Sequence, residues 1–157
     1  WEDLEKIVQS ARNAHVAVAQ ARGITLTAAP VAGAPRPVLL DASVFRRVLD
    51  NLLSNALKFS PAGGRVTLRT EYAESVVRVH VADEGPGIPP EHREHIFSLF
   101  EIVTLRQREV LQIGLGLAFC KLAVEAHDGR IFVGENVPHG AVFTVEIPVA
   151  GATVVTS

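Results

Sequence analysis

The sequence predicts an α+β fold, a two-layer α/β sandwich whose mixed, mostly antiparallel sheet carries helices on one face. Alternating apolar segments come in pairs separated by short gaps, which reads as hairpins. Amphipathic stretches with apolar residues at helical spacing lie between those pairs. With 157 residues and no internal repeat, the chain suits one domain with one core.

Residues 2–22 read as a helix, because Leu4, Ile7, Val8, Ala11, His15, Val18 and Ala19 share a face and Gly23 follows as a stop. Residues 24–28 (ITLTA) alternate as a strand, 30–37 form a Pro/Gly/Ala loop, and 37–40 (PVLL) read as a short strand. Asp41 caps a helix over 42–58 that Ser60-Pro61 ends. Residues 65–72 and 75–82 form a hairpin. Pro89 and Pro90 open a helix expected to reach Phe100. Residues 101–113 fit no single pattern. A helix over 115–127 stops at Asp128-Gly129, and 130–135 with 141–149 make a last hairpin. The tail from Ala150 is expected to fray.

Composition narrows the function. A net charge of −2 offers no basic surplus for nucleic acid. No apolar run approaches the ~18 residues of a membrane span, so no membrane contact by this domain is expected. A single cysteine, Cys120, excludes an internal disulfide and fits a reducing compartment. The chain contains no methionine and reads as a piece of something longer.

Three segments carry candidate chemistry. In NLLSNALKFSP (51–61), Asn51, Asn55 and Lys58 fall at i, i+4 and i+7, a polar stripe able to meet a metal-bound phosphate chain. The same stripe is also what any amphipathic helix shows to water. In DEGPGIP (83–89), Asp83 ends an apolar strand and the glycines let backbone approach a ligand. A plain turn capped by Asp83 fits equally. In GLGLA (114–118), Gly114 and Gly116 at a helix start would free N–H groups for an anion. Close helix packing is the competing use of those glycines.

In this order, and with IFSLF at 96–100, these segments resemble the N, G1, F and G2 boxes of the sensor histidine kinase ATP-binding domain, a family related to gyrase, MutL and a heat-shock chaperone. The resemblance spans about residues 38–148 and implies ATP and Mg2+ as ligands. It implies Asn55 as the magnesium ligand, with Asn51 and Lys58 around the metal and phosphates. Phe59 would flank the base, and Asp83 would read the adenine amino group in a pocket shaped by Gly85, Gly87 and Ile88. Gly114, Leu115, Gly116 and Leu117 would lie at the phosphates, and 101–113 would be the lid. Relatives that hydrolyse ATP carry glutamate where Asn51 stands; an amide cannot act as a general base, so transfer to histidine is implied rather than hydrolysis.

The resemblance further implies residues 1–23 as the end of a dimerisation module, 24–149 as the catalytic domain and 150–157 as a tail. None of the six histidines (15, 80, 92, 95, 127, 139) has the context of the family's phosphate acceptor. The acceptor is therefore expected on the protein's own dimerisation domain, outside this chain, and the chain is not expected to phosphorylate itself. The remaining implications are a response regulator as downstream partner and a cytoplasmic place of work, with membrane anchoring of the whole protein left open. Gln112 stands where the family has glycine and Ile102 near where it has arginine, and the 101–113 segment is unusually apolar. These differences motivate a second reading, a degenerate domain that works through protein contacts.

Overall fold

The computed structural model describes residues 1–98 and 108–149, with the backbone alone over 108–115. Five strands form one sheet in the order β1-β2-β3-β5-β4. They are β1 (Thr25–Ala28), β2 (Arg65–Tyr72), β3 (Val76–Ala82), β4 (Arg130–Glu135) and β5 (Ala141–Pro148). Among the described residues three α-helices accompany them: α1 (Leu4–Ala21), α2 (Ala42–Phe59) and α3 (Arg108–Ala126).

Sheet topology follows from the connections. β1 runs parallel to β2 because α2 carries the chain back between them. The pairs β2–β3, β3–β5 and β4–β5 are antiparallel. The mixed, mostly antiparallel sheet expected from the sequence is present. Inward residues alternate strictly: Val66, Leu68, Thr70 and Tyr72 of β2, Val77, Val79 and Val81 of β3, and Phe143, Val145 and Ile147 of β5 are buried.

α2 lies at the centre of the helical layer. Asp41 accepts the Val44 N–H at 3.1 Å and caps its start, and Phe45, Val48, Leu49, Leu52, Leu53, Ala56 and Leu57 are buried. α1 contributes Leu4, Val8, Ala11 and Ala19 to the same core. Tyr72 donates its hydroxyl to Glu5 at 3.2 Å, tying α1 to the sheet. Phe97 meets Phe143 edge-on at 6.1 Å.

The opposite sheet face is covered by no described helix and closes with its own polar network. His80 bonds the Glu71 carboxylate through Nε2 and the Thr144 hydroxyl through Nδ1, both at 2.8 Å. Arg78 and Arg130 both reach Glu146, at 2.7 and 3.0 Å. Burial pushes the Glu146 carboxyl up, but the two arginines prevail and hold it below its ordinary value.

Three expectations are corrected. Residues 37–40 form no strand; Val38 makes one isolated bridge to Glu2. Pro37 removes a ladder donor there, and Leu39 faces solvent. The helix expected from Pro89 to Phe100 is instead two 3-10 turns, Pro90–His92 and His95–Phe97. Neighbouring Ile96 and Phe97 are both buried, which the tighter turn permits, and the Ile88 carbonyl accepts from Arg93 Nε at 3.0 Å. Residues 99 and 100 lie outside the described residues. Finally, α3 begins at Arg108, not near 115, since Glu109, Leu111 and Gln112 are good helix formers.

Leu52, fully buried in α2, gives a direct test of this core. Leu52→Ala is expected to lower unfolding stability by about 2–5 kcal/mol in urea titration, with the far-UV spectrum retained.

Candidate nucleotide site

The second half of α2 touches both glycine segments. Near its middle, Asn51 lies against α3: a Cβ added at Gly116 would sit 3.1 Å from Asn51 Oδ1. Gly116 therefore sets the close approach of α3 to α2. One turn on, Cys120 is wholly buried, its thiol 3.7 Å from the Val48 carbonyl, and burial pushes the thiol up to about 12. At its end, the Phe59 carbonyl would lie 2.7 Å from a Cβ at Gly85, so α2 rests directly on the 83–87 turn. Asn55 and Lys58 lie between those contacts. Asn55 Nδ2 is buried without a partner among the described residues. Lys58 is exposed, with Nζ 5.7 Å from the centre of the half-buried Phe59 ring.

Asp83 follows β3 and is 5 % exposed. Its Oδ1 accepts two backbone N–H groups, from Gly85 at 2.9 Å and from Ala141 at 3.2 Å. No bond to Oδ2 exists among the described residues. Burial raises the carboxyl above its ordinary range, opposed by the two N–H bonds and by His139. Asp83 thus caps its own turn with one oxygen and leaves the other available. Gly87 adopts φ 77°, open to glycine, and Ile88 is half-buried against the core.

α3 holds the remaining sequence-derived positions. Leu117 is fully buried, and for Gly114 and Leu115 the backbone alone is described. Gly114 and Gly116 were expected at a helix N-terminus. They stand instead inside α3, where amides bond the carbonyl four residues back. The expected lid falls partly outside the described residues; its 108–113 portion is the start of α3.

Sequence reasoning missed the loop between β4 and β5. Asn136 donates from Nδ2 to the Asp83 carbonyl at 2.7 Å, and His139 donates from Nδ1 to the Gly85 carbonyl at 3.2 Å. The only local signal was the Pro138 and Gly140 turn; the partners lie 53 and 54 residues away in sequence. Among the described residues no group of three or more His, Cys, Asp or Glu is placed to hold a metal. A groove lined by Leu39, Leu40, Asp41 and His127 lies at the other end of α2 and shares no residue with this site.

The family described as "Histidine kinase-, DNA gyrase B-, and HSP90-like ATPase" matches residues 40–151. The chain belongs to this family. Within it, an adaptive-response sensory kinase, SasA, of Microcystis aeruginosa is 40% identical over 115 residues, covering 72% of this chain and 29% of SasA. The probable sensor kinase SilS of Salmonella typhimurium is 38% identical over 117 residues, covering 74% of this chain and 23% of SilS. The chain therefore spans under a third of these relatives. The catalytic domain of the histidine kinase ThkA superposes with a TM-score of 0.81 at 27% identity, covering 94% of each chain. Full-length ShkA in complex with AMPPNP gives 0.81 at 32% identity, over 95% of this chain and 30% of ShkA. These likenesses make the fold that of a histidine kinase ATP-binding catalytic domain.

The contact of α2 with the turn is testable without ligand. Gly85→Ala is expected to cost about 1–3 kcal/mol in chemical unfolding, because its Cβ meets the Phe59 carbonyl. Gly134→Ala, with nothing within 4 Å of the added carbon, is the control and should lie within about 0.5 kcal/mol of wild type.

Proposed function

We propose that this domain binds Mg-ATP between α2, the 83–87 turn and α3, and donates the γ-phosphoryl group to a histidine on a dimerisation domain outside the chain. The observation that carries the reading is that one face of α2 reaches from Gly116 to Gly85. Asn51 and Phe59 are eight residues apart, about 12 Å along a helix, long enough to separate a base from its phosphates. A role through protein contacts alone gives no reason for a buried carboxylate with one oxygen unused.

Each residue has a role that suits its surroundings. Asp83 Oδ2 accepts the adenine amino group while Oδ1 stays locked on its two N–H donors. Gly85 and Gly87 let the turn approach the base, Ile88 provides an apolar wall, and Phe59 flanks it. Lys58 brings a mobile positive charge to the phosphates. Asn55 suits a magnesium ion, because its amide is otherwise incompletely bonded and a half-turn presents oxygen, the ligand atom magnesium takes. When bound, the ion neutralises charge on the phosphate oxygens. Gly114, Leu115, Gly116 and Leu117 are assigned to the phosphates by the resemblance; their amides, bonded within α3 here, become free for that role only where the helix starts later.

Asn51, an amide, takes no proton. The acceptor imidazole supplies its own lone pair, forms the N–P bond and releases ADP from the γ-phosphorus. What this chain contributes is position and charge. The reading extends to the whole protein: 24–149 as the catalytic unit, 1–23 leading in from the dimerisation module, 150–157 as a tail, a response regulator downstream, and work in the cytoplasm. The structure of ThkA in complex with the response regulator protein TrrA supports such a partner. No described helix is long and apolar enough to cross a membrane.

Calorimetry tests the base pocket. Asp83→Ala is expected to weaken ADP about ten- to a hundredfold and GDP much less. Equal small losses would reduce Asp83 to a turn cap. The wild type adds a pH signature. Burial raises the Asp83 pKa and only the carboxylate accepts the amine, so ADP affinity should be full above that raised pKa and fall as pH drops through it. The Asp83→Ala variant should lose this dependence.

Magnesium is tested separately. Asn55→Ala is expected to remove the magnesium dependence of ATP binding while the thermal transition stays within a few degrees. A retained magnesium response would place the metal elsewhere.

A further inference from the structure

The loop joining β4 to β5 is built as a strap across the 83–87 turn. Asn136 closes it by donating its N–H to the Gly140 carbonyl at 3.0 Å. From inside this loop, Asn136 Nδ2 reaches the Asp83 carbonyl at 2.7 Å while its Oδ1 accepts the Val137 N–H at 2.9 Å. Both ends of the amide are assigned, so the side chain has one orientation. His139 holds the Gly85 carbonyl at 3.2 Å. A Cβ at Gly140 would lie 2.0 Å from the Asp83 carbonyl oxygen, and one at Gly87 would lie 3.0 Å from the Gly140 carbonyl oxygen. Glu135, at the strap's start, pairs with Arg93 at 3.4 Å.

These contacts converge on the backbone of Asp83 and Gly85, not on the hydrophobic core. Neither Asn136 nor His139 belongs to the core, and His139 is exposed. Their bonds fix the two peptide units that follow Asp83 and Gly85. That carboxylate has one oxygen held by Gly85 and Ala141, so the direction of the other depends on where those peptides stand. Hydrogen bonds weaken steeply with misalignment, so a small rotation of the turn is enough to lose a bond to a base.

We propose that Asn136 and His139 are positioning residues that aim Asp83 and thereby set selectivity for a purine bearing an exocyclic amine. The proposal rests on the reading of Asp83 as the base-recognising carboxylate. The side chains it concerns bond the backbone of Asp83 and Gly85, so their effect on the base runs through Asp83.

The experiment compares ADP with inosine diphosphate, which has a carbonyl where ADP has the amine. Calorimetry on the whole 157-residue chain gives the ratio of the two affinities. Asn136→Ala is expected to shrink the ADP-over-IDP ratio about fivefold, through loss of ADP affinity alone. Asn136→Asp keeps an oxygen for the Val137 N–H but removes the donor to Asp83, and should shrink the ratio at least as much. His139→Ala, at an exposed position where folding is not at stake, should shrink it about threefold. Unchanged ratios in the folded variants, or equal losses for both nucleotides, would reduce the strap to a hairpin closure and overturn the proposal. Should the Asn136 variants fail to fold, the His139→Ala ratio decides alone. A wild type with no preference for ADP would instead overturn the base-recognition reading itself, a result distinguishable from failure of the strap.

Discussion

Helix α2 buries seven of its 18 residues among the sheet, α1 and α3, and that burial dictates where its polar residues go. Asn51, Asn55 and Lys58 share one stripe of the remaining surface by spacing alone, before any ligand is considered. The neighbours that enclose α2 also bring the turn after β3 to one end of the stripe and α3 to the other. The site is thus a by-product of core packing around one helix.

Asp83 shows the opposite economy. Burying a carboxylate is unfavourable unless its oxygens are met by donors. Two backbone N–H groups meet one oxygen and leave the other, so the free domain keeps a partly satisfied acid at the end of β3. The glycine at 85 is required by the α2 contact, and the one at 140 by the Asp83 carbonyl. Two distant parts of the chain have given up side chains so that backbone can close around this residue.

The helices and hairpins were readable because their signals are local. α2 has an apolar repeat, an Asp41 cap and a Ser60-Pro61 stop, and its observed bounds differ from the expected ones by one residue. The segment after Pro90 was misread because prolines announce a helix start, while the burial of adjacent Ile96 and Phe97 is a demand of tertiary packing. α3 was begun too late because glycines were taken as its boundary. The helix-forming Glu109, Leu111 and Gln112 outweigh them in the free domain. The acidic turn was legible within seven residues, whereas Asn136 and His139 reach it through the pairing of β3 with β5. No sequence-local pattern announces a contact across more than 50 residues.

The early start of α3 ties two equilibria together. Interior glycines weaken a helix by about 1 kcal/mol each relative to alanine, and Gly114 and Gly116 fall in its second and third turns. On the proposed assignment, their amides meet phosphate only in molecules whose helix begins later. The measured affinity is then the intrinsic affinity multiplied by the fraction of molecules with the shorter helix. On that assignment a better helix former at 108–113 lowers the affinity for ATP, and a poorer one raises it. On the same assignment, affinity for ATP can drift through the helix propensity of six positions while Asn51, Asn55 and Asp83 stay unaltered.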